Sequence, residues 1–89
     1  MLYAIICRDK PGALQLRLDT RPAHLAYLEE TGVVRIAGPF IEDDRPVGSL
    51  VIVETADRAA AEAFAANDPY ARAGLFAEVT VNEWKRVIG

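Results

Sequence analysis

Two stretches of this chain, Leu2 to Cys7 and Ser49 to Glu54, are apolar at nearly every position. Both carry aromatic or β-branched side chains, so both read as strands. A strand with one wet face alternates, whereas a continuously apolar strand needs cover on both faces. These two segments must therefore lie inside a sheet, and everything else in the chain must cover or flank them. With 89 residues there is length for one domain, 1–89, and no second.

The flanking elements follow from local chemistry. Asp9–Lys10–Pro11–Gly12 is a turn, and Ala13 to Leu18 can form a short helix. Pro22 suits the first turn of a longer helix capped by Thr20 or Arg21, which Gly32 ends. Val33 to Ala37 is a strand broken by Gly38–Pro39, and Glu42 to Gly48 is a polar connection. Asp57 can cap an alanine-rich helix running to Asn67, where Asp68–Pro69 stops it. Phe76 to Trp84 sets Val79 and Val81 against Glu78, Thr80 and Asn82, the alternation of a half-exposed strand.

The resulting order, βαββαβ, predicts a ferredoxin-like α+β fold with a four-stranded antiparallel sheet. Right-handed crossovers give strand order 4-1-3-2, with both helices on one face. The pattern is self-consistent. The continuously apolar strands are the central ones, and the edges carry Arg35 and Glu78, Thr80 and Asn82. The helix-free face then presents alternate residues of Leu2–Cys7 and Leu50–Val53, too large an apolar patch for a monomer. A homodimer through that face is expected.

Composition narrows the function. Thirteen acids against ten bases give a net charge of −3 and no polybasic surface, which argues against nucleic acid and anionic lipid as partners. The longest apolar run is far below the roughly 20 residues that span a bilayer, and no signal peptide is visible. A cytoplasmic location is expected. One cysteine and one histidine leave little from which to build a metal site, and Asp43–Asp44 is most simply a polar loop. Cys7, within a buried strand, reads as inert packing. No cofactor motif is present.

The topology brings separate segments to one rim of the sheet: His24, Asp68, Tyr70, Ser49 and the pair Gly38–Pro39. Taken alone, His24 is a core-edge histidine, since Leu25 and Leu28 mark the buried stripe of its helix. Asp68 alone is an ordinary turn residue. Yet a cation near a helix start and an anion at a helix end each oppose the helix dipole, and together they can offset one another. Asp68 could accept the proton of one ring nitrogen, fix the tautomer, and leave the other nitrogen as a base. Ser49, the one serine, is more simply a strand-start residue than a nucleophile. Tyr70 could donate to a substrate oxygen or simply pack. Arg17 and Arg21 share a helical face and could grip a carboxylate or phenolate, Arg21 being the stronger candidate.

Several of these residues fall in an ordered set of motifs. Arg21–Pro22–Ala23–His24–Leu25–Ala26–Tyr27–Leu28, Ala37–Gly38–Pro39, Gly48–Ser49, and Asn67–Asp68–Pro69–Tyr70 with Gly74 and Leu75 together resemble the YciI-like (YCII-related) family. The opening Leu2–Tyr3–Ala4 and the closing Trp84–Lys85 fit as well. The resemblance spans essentially the whole chain. It implies a dimeric ferredoxin-like α+β barrel and a catalytic pairing of His24 with Asp68. It also implies kinship with dehydrochlorinases of chlorinated hydroxyquinols and, at the level of fold, with muconolactone isomerases.

The expected function is a small cofactor-independent enzyme, a lyase or isomerase or a dehydrochlorinase-like catalyst. His24 and Asp68 would move a proton on a small aromatic or carboxylated substrate, with Arg21, Ser49, Tyr70, Gly38 and Pro39 around it. The alternatives are a non-catalytic small-molecule-binding or regulatory dimeric module and a structural dimer without ligand. Fold alone does not choose among them.

Overall fold

In the computed structural model, which describes residues 1–89, the central strands take the places their composition demands. The chain runs β1 (Leu2–Asp9), α1 (Leu14–Thr31), β2 (Val34–Glu42), β3 (Arg45–Glu54), α2 (Arg58–Asn67), α3 (Pro69–Arg72) and β4 (Phe76–Trp84). The sheet order is β2-β3-β1-β4, all antiparallel, which is the expected order read from the other edge. No helix is long and apolar enough to cross a membrane.

Strand pleating sorts the side chains. Tyr3, Ile5 and Cys7 of β1 and Val51 and Val53 of β3 face the helices, where Leu28, Ala61, Phe64 and Ala65 complete a buried core. Both long helices thus cover one face. Tyr27 ties them together, its hydroxyl donating to the Phe64 carbonyl at 2.8 Å. Ala4 pairs across the sheet with Ile52, and Ile6 with Leu50, on the opposite, helix-free face. That face also bears Ile36 and Trp84, 54% and 37% exposed.

Asp57 caps α2 as anticipated, its carboxylate accepting the Ala60 N–H at 2.9 Å. Three local expectations are corrected. First, Pro22 does not open a helix; α1 is continuous and carries Pro22 inside it. The proline sits on the solvent side, where water can serve the Leu18 carbonyl that loses its partner. Second, Gly38–Pro39 does not end β2. The strand continues to Glu42, because an edge strand has one side on which a missing N–H costs no ladder bond. The polar connection shrinks to Asp43–Asp44, both left-handed (φ 50° and 61°), the conformation of a two-residue hairpin turn. Third, the segment after Asp68 forms an additional helical turn, α3, with Pro69 in its first position.

Candidate active site

The helix α1 buries an unusual stripe. Its buried residues are Arg17, His24 and Leu28, while Leu25 is 47% exposed. This reverses the expectation that Leu25 lies inside and His24 at the boundary. A fully bonded polar set can occupy an interior, and here each buried polar group has its partner. The partners come from β1, β3 and the α2–α3 junction.

His24 Nδ1 lies 2.9 Å from Asp68 Oδ1 and 3.0 Å from Oδ2, with both residues buried. An ionised carboxylate only accepts, which places a ring proton on Nδ1; in the neutral ring Nε2 then carries the lone pair. Asp68 Oδ1 also accepts the Tyr70 backbone N–H at 2.9 Å, so one carboxylate caps α3 and orients the imidazole. The dipole conflict inferred for this pair is not what joins them. His24 sits in the middle of α1, and Asp68 stands at the favourable N-terminal end of α3.

Tyr70 is the centre of a stack. Its ring lies 4.0 Å from the His24 ring, at 20° between planes, and the Arg17 guanidinium lies 4.5 Å from its centroid. Two groups cannot share one face at those distances, so the phenol ring is sandwiched. Arg17 and His24 are two helical turns apart on α1, a gap of about 10 Å that one inserted ring fills. Burial pushes the Tyr70 phenol up, partly offset by the Arg17 and Arg21 charges, and keeps it protonated.

Arg17 is itself clamped. Nε and Nη2 donate to Asp9 at 2.6 and 3.0 Å, and Nη2 also donates to Ser49 Oγ at 2.8 Å. Burial pulls the guanidinium down, but the hydrogen bonds and charge of Asp9 more than reverse this, and Arg17 is held above its ordinary value. From the sequence alone Arg21 is the stronger candidate of the two arginines, and Asp9 is only part of a turn. The available signal was an acid closing a buried strand eight residues before an arginine. Cys7 is buried beneath this network, and desolvation, aided by the Asp68 charge, pushes its thiol up to about 12.

A cavity of about 430 Å³ opens on this assembly, within the range of small-molecule sites. His24, Arg17, Ser49 and Tyr70 form its polar end; Arg21 lies at its exposed mouth, and Ala37, Gly38 and Pro39 of β2 form a wall. Asp68 is not part of the lining and stands behind His24. The anticipated residues of the rim are therefore brought together. No buried side-chain nitrogen or oxygen in the molecule lacks a partner. Nε2 of His24 and Oη of Tyr70 make no protein hydrogen bond, so both atoms keep some accessible surface, and both residues line the cavity.

This chain is 40% identical to the protein YciI of Escherichia coli O6:H1, over 98% of its own length and 99% of the relative's. It is 38% identical, with the same coverage, to an uncharacterised protein of Haemophilus influenzae. Among solved structures it is similar to 5-chloro-2-hydroxyhydroquinone dehydrochlorinase from Burkholderia phenoliruptrix AC1100, in complex with 2,5-dihydroxybenzoquinone. The TM-score is 0.87 and the identity 39%, covering 96% of this chain and 94% of that one. An antibiotic biosynthesis monooxygenase, with TM-score 0.58, 19% identity and coverage of 97% and 100%, shares the fold. The YCII-related domain matches residues 1–85, and with relatives this similar over nearly their full length, the chain belongs to the YCII-related family.

Proposed function

We propose that this protein is a small cofactor-independent enzyme that moves a proton on an oxygenated ring, with His24 as base and Asp68 as its orienting partner. The observation that carries this reading is the arrangement of the imidazole: Nδ1 is bonded to a buried carboxylate, while Nε2 has no protein partner and His24 lines a cavity. Nε2 takes a proton from a hydroxyl or carbon of the substrate, and Asp68 stabilises the imidazolium that results. With the chlorine-bearing ring carbon protonated in the keto tautomer, the electron pair freed by removal of a second proton forms a C=C bond to that carbon and expels chloride, a lyase outcome; if the pair is instead reprotonated at another atom, the outcome is an isomerisation. Similarity to a dehydrochlorinase favours the former. Arg21 at the mouth attracts an anionic or phenolic substrate, Ser49 and Tyr70 contact it, and Gly38–Pro39 shapes the wall.

The working unit in this reading is a homodimer. The helix-free face carries Leu2, Ile6, Leu50 and Ile36 around a buried Ile52, and no helix of the chain covers it. A second copy, sheet against sheet, buries that face by two-fold symmetry. Sedimentation at micromolar concentration tests this, and a stable monomer would refute it. An unpaired Cys7 suits a reducing compartment, in keeping with the cytoplasm.

The test of activity is chloride release from 5-chloro-2-hydroxyhydroquinone. Turnover by the wild type and none by a folded His24→Ala variant is the expected result. Binding without turnover would make the protein a non-catalytic binding module instead.

A further inference from the structure

We propose that Ser49, Tyr70 and Arg17 form an oxyanion subsite that faces His24 and holds a negatively charged ring oxygen, with Asp9 as the residue that positions it. This deepens the proton-transfer reading and rests on it for its catalytic meaning, though not for its binding chemistry.

The donors can be counted atom by atom. Ser49 Oγ accepts from Arg17 Nη2, and its own hydroxyl proton has no acceptor in the protein. Ser49 is buried and lines the cavity, and it makes no hydrogen bond to His24. It is therefore placed as a donor rather than as a base-activated nucleophile. A hydroxyl that receives a bond from a guanidinium is polarised toward donation. Tyr70, 1% exposed, lines the cavity and has a hydroxyl without a protein partner. Arg17, 3% exposed, uses Nε and Nη2 and leaves Nη1 without a protein partner. Three donor groups without a protein acceptor thus belong to residues that line one cavity.

Asp9 gives the set its character. A buried guanidinium without a partner is costly, and Asp9, whose side chain is 6% exposed, grips it by two nitrogens. The subsite therefore presents fixed dipoles with the Arg17 charge balanced by Asp9. Such a site favours charge that develops during reaction. His24 and Arg17 stand on opposite sides of the Tyr70 ring, 4.0 and 4.5 Å from its centroid. A six-membered ring with oxygens on opposite edges spans that separation, one edge at Nε2 and the other at the donors. When Nε2 removes a proton from a ring carbon of the keto tautomer, the C–H electron pair moves through the conjugated ring and opens the far C=O, whose oxygen takes the negative charge. The donors stabilise it there without transferring a proton of their own.

The probe is 2,5-dihydroxybenzoquinone, titrated into the full chain at neutral pH and followed by calorimetry and by its visible absorption band, which reports the charge on the ring oxygens. The wild type is expected to bind and shift the band. Ser49→Ala and Tyr70→Phe should each weaken binding about tenfold and lose part of the shift. Asp9→Asn should do the same, with Asp9→Glu restoring part of both; if Asp9→Asn fails to fold, Asp9→Glu decides, since a wild-type-like band shift with weaker binding is the positioning signature. Unchanged binding in Ser49→Ala and Tyr70→Phe would overturn the subsite. So would a wild type that ignores the quinone to millimolar concentration. Neither result touches the base, which chloride release examines separately. Conversely, binding with the expected variant pattern but no turnover keeps the subsite and removes the enzyme.

Discussion

Asp68 meets His24 with both carboxylate oxygens, at 2.9 and 3.0 Å from Nδ1, and gives one of them as well to the backbone N–H of Tyr70. One buried side chain therefore sets the tautomer of the imidazole and the place of the ring stacked against it. The catalytic reading and the local fold depend on the same carboxylate.

This sharing has a measurable consequence. His24→Ala strands a buried carboxylate, and Asp68→Ala strands a ring N–H and removes a cap. Each should destabilise by about 2–3 kcal/mol. The double variant should fall short of the sum by on the order of 1–2 kcal/mol, because it leaves neither partner unpaired. Urea denaturation of the four proteins measures this, and additive losses would show that the two side chains do not support one another.

Gly48 is a second sensitive point. A Cβ there would meet the Cys7 carbonyl oxygen at 2.3 Å and the Phe40 ring at 3.2 Å, so β1 and β3 would have to part beside Ser49. Gly48→Ala should cost more than about 2 kcal/mol. Gly38 has nothing within 4 Å of its Cβ position. Gly38→Ala should stay within about 0.5 kcal/mol, and denaturation midpoints for the pair would show equal losses if the close approach did not matter.

The sheet was legible because its central strands are apolar throughout and its edges are not, a contrast that depends only on residues within each strand. The α2 boundaries were legible for a similar reason: Asp57, an alanine run and Asp68–Pro69 act locally. What stayed hidden depends on distant partners. Helical periodicity places Leu25 inside, but Asp9, Ser49 and Asp68 make burial of Arg17 and His24 the better arrangement, and no local rule registers them. Pro39 reads as a break from its local chemistry, although the expected order already makes its strand an edge, where a missing N–H can be spared. The proximity of His24 and Asp68 follows from topology; Asp68 does close α2, but His24 stands mid-helix rather than near a helix start, so their dipole conflicts do not pair.

Cys7 gives the protein an alkaline weakness. Its thiol is raised from 9.0 to about 12 in the folded chain, mainly by burial. The native state thus keeps a proton that the unfolded chain has lost. The stability this group contributes is complete below about pH 9 and declines as pH rises toward 12. Between pH 9 and 11 the wild type should lose on the order of 1 kcal/mol per pH unit more than Cys7→Ala does. Tyr70, raised in the same direction, acts in both proteins. Parallel stability curves would contradict the buried thiol.

The central claim is that Asp68 holds His24 with Nδ1 protonated and Nε2 bare toward the cavity. Nitrogen NMR of the imidazole tests it most directly, and the chain has one histidine, so assignment is unambiguous. The account predicts a protonated Nδ1, an unprotonated Nε2, and a shift centred on Nε2 when 2,5-dihydroxybenzoquinone is added. A proton on Nε2 with Nδ1 bare would contradict it.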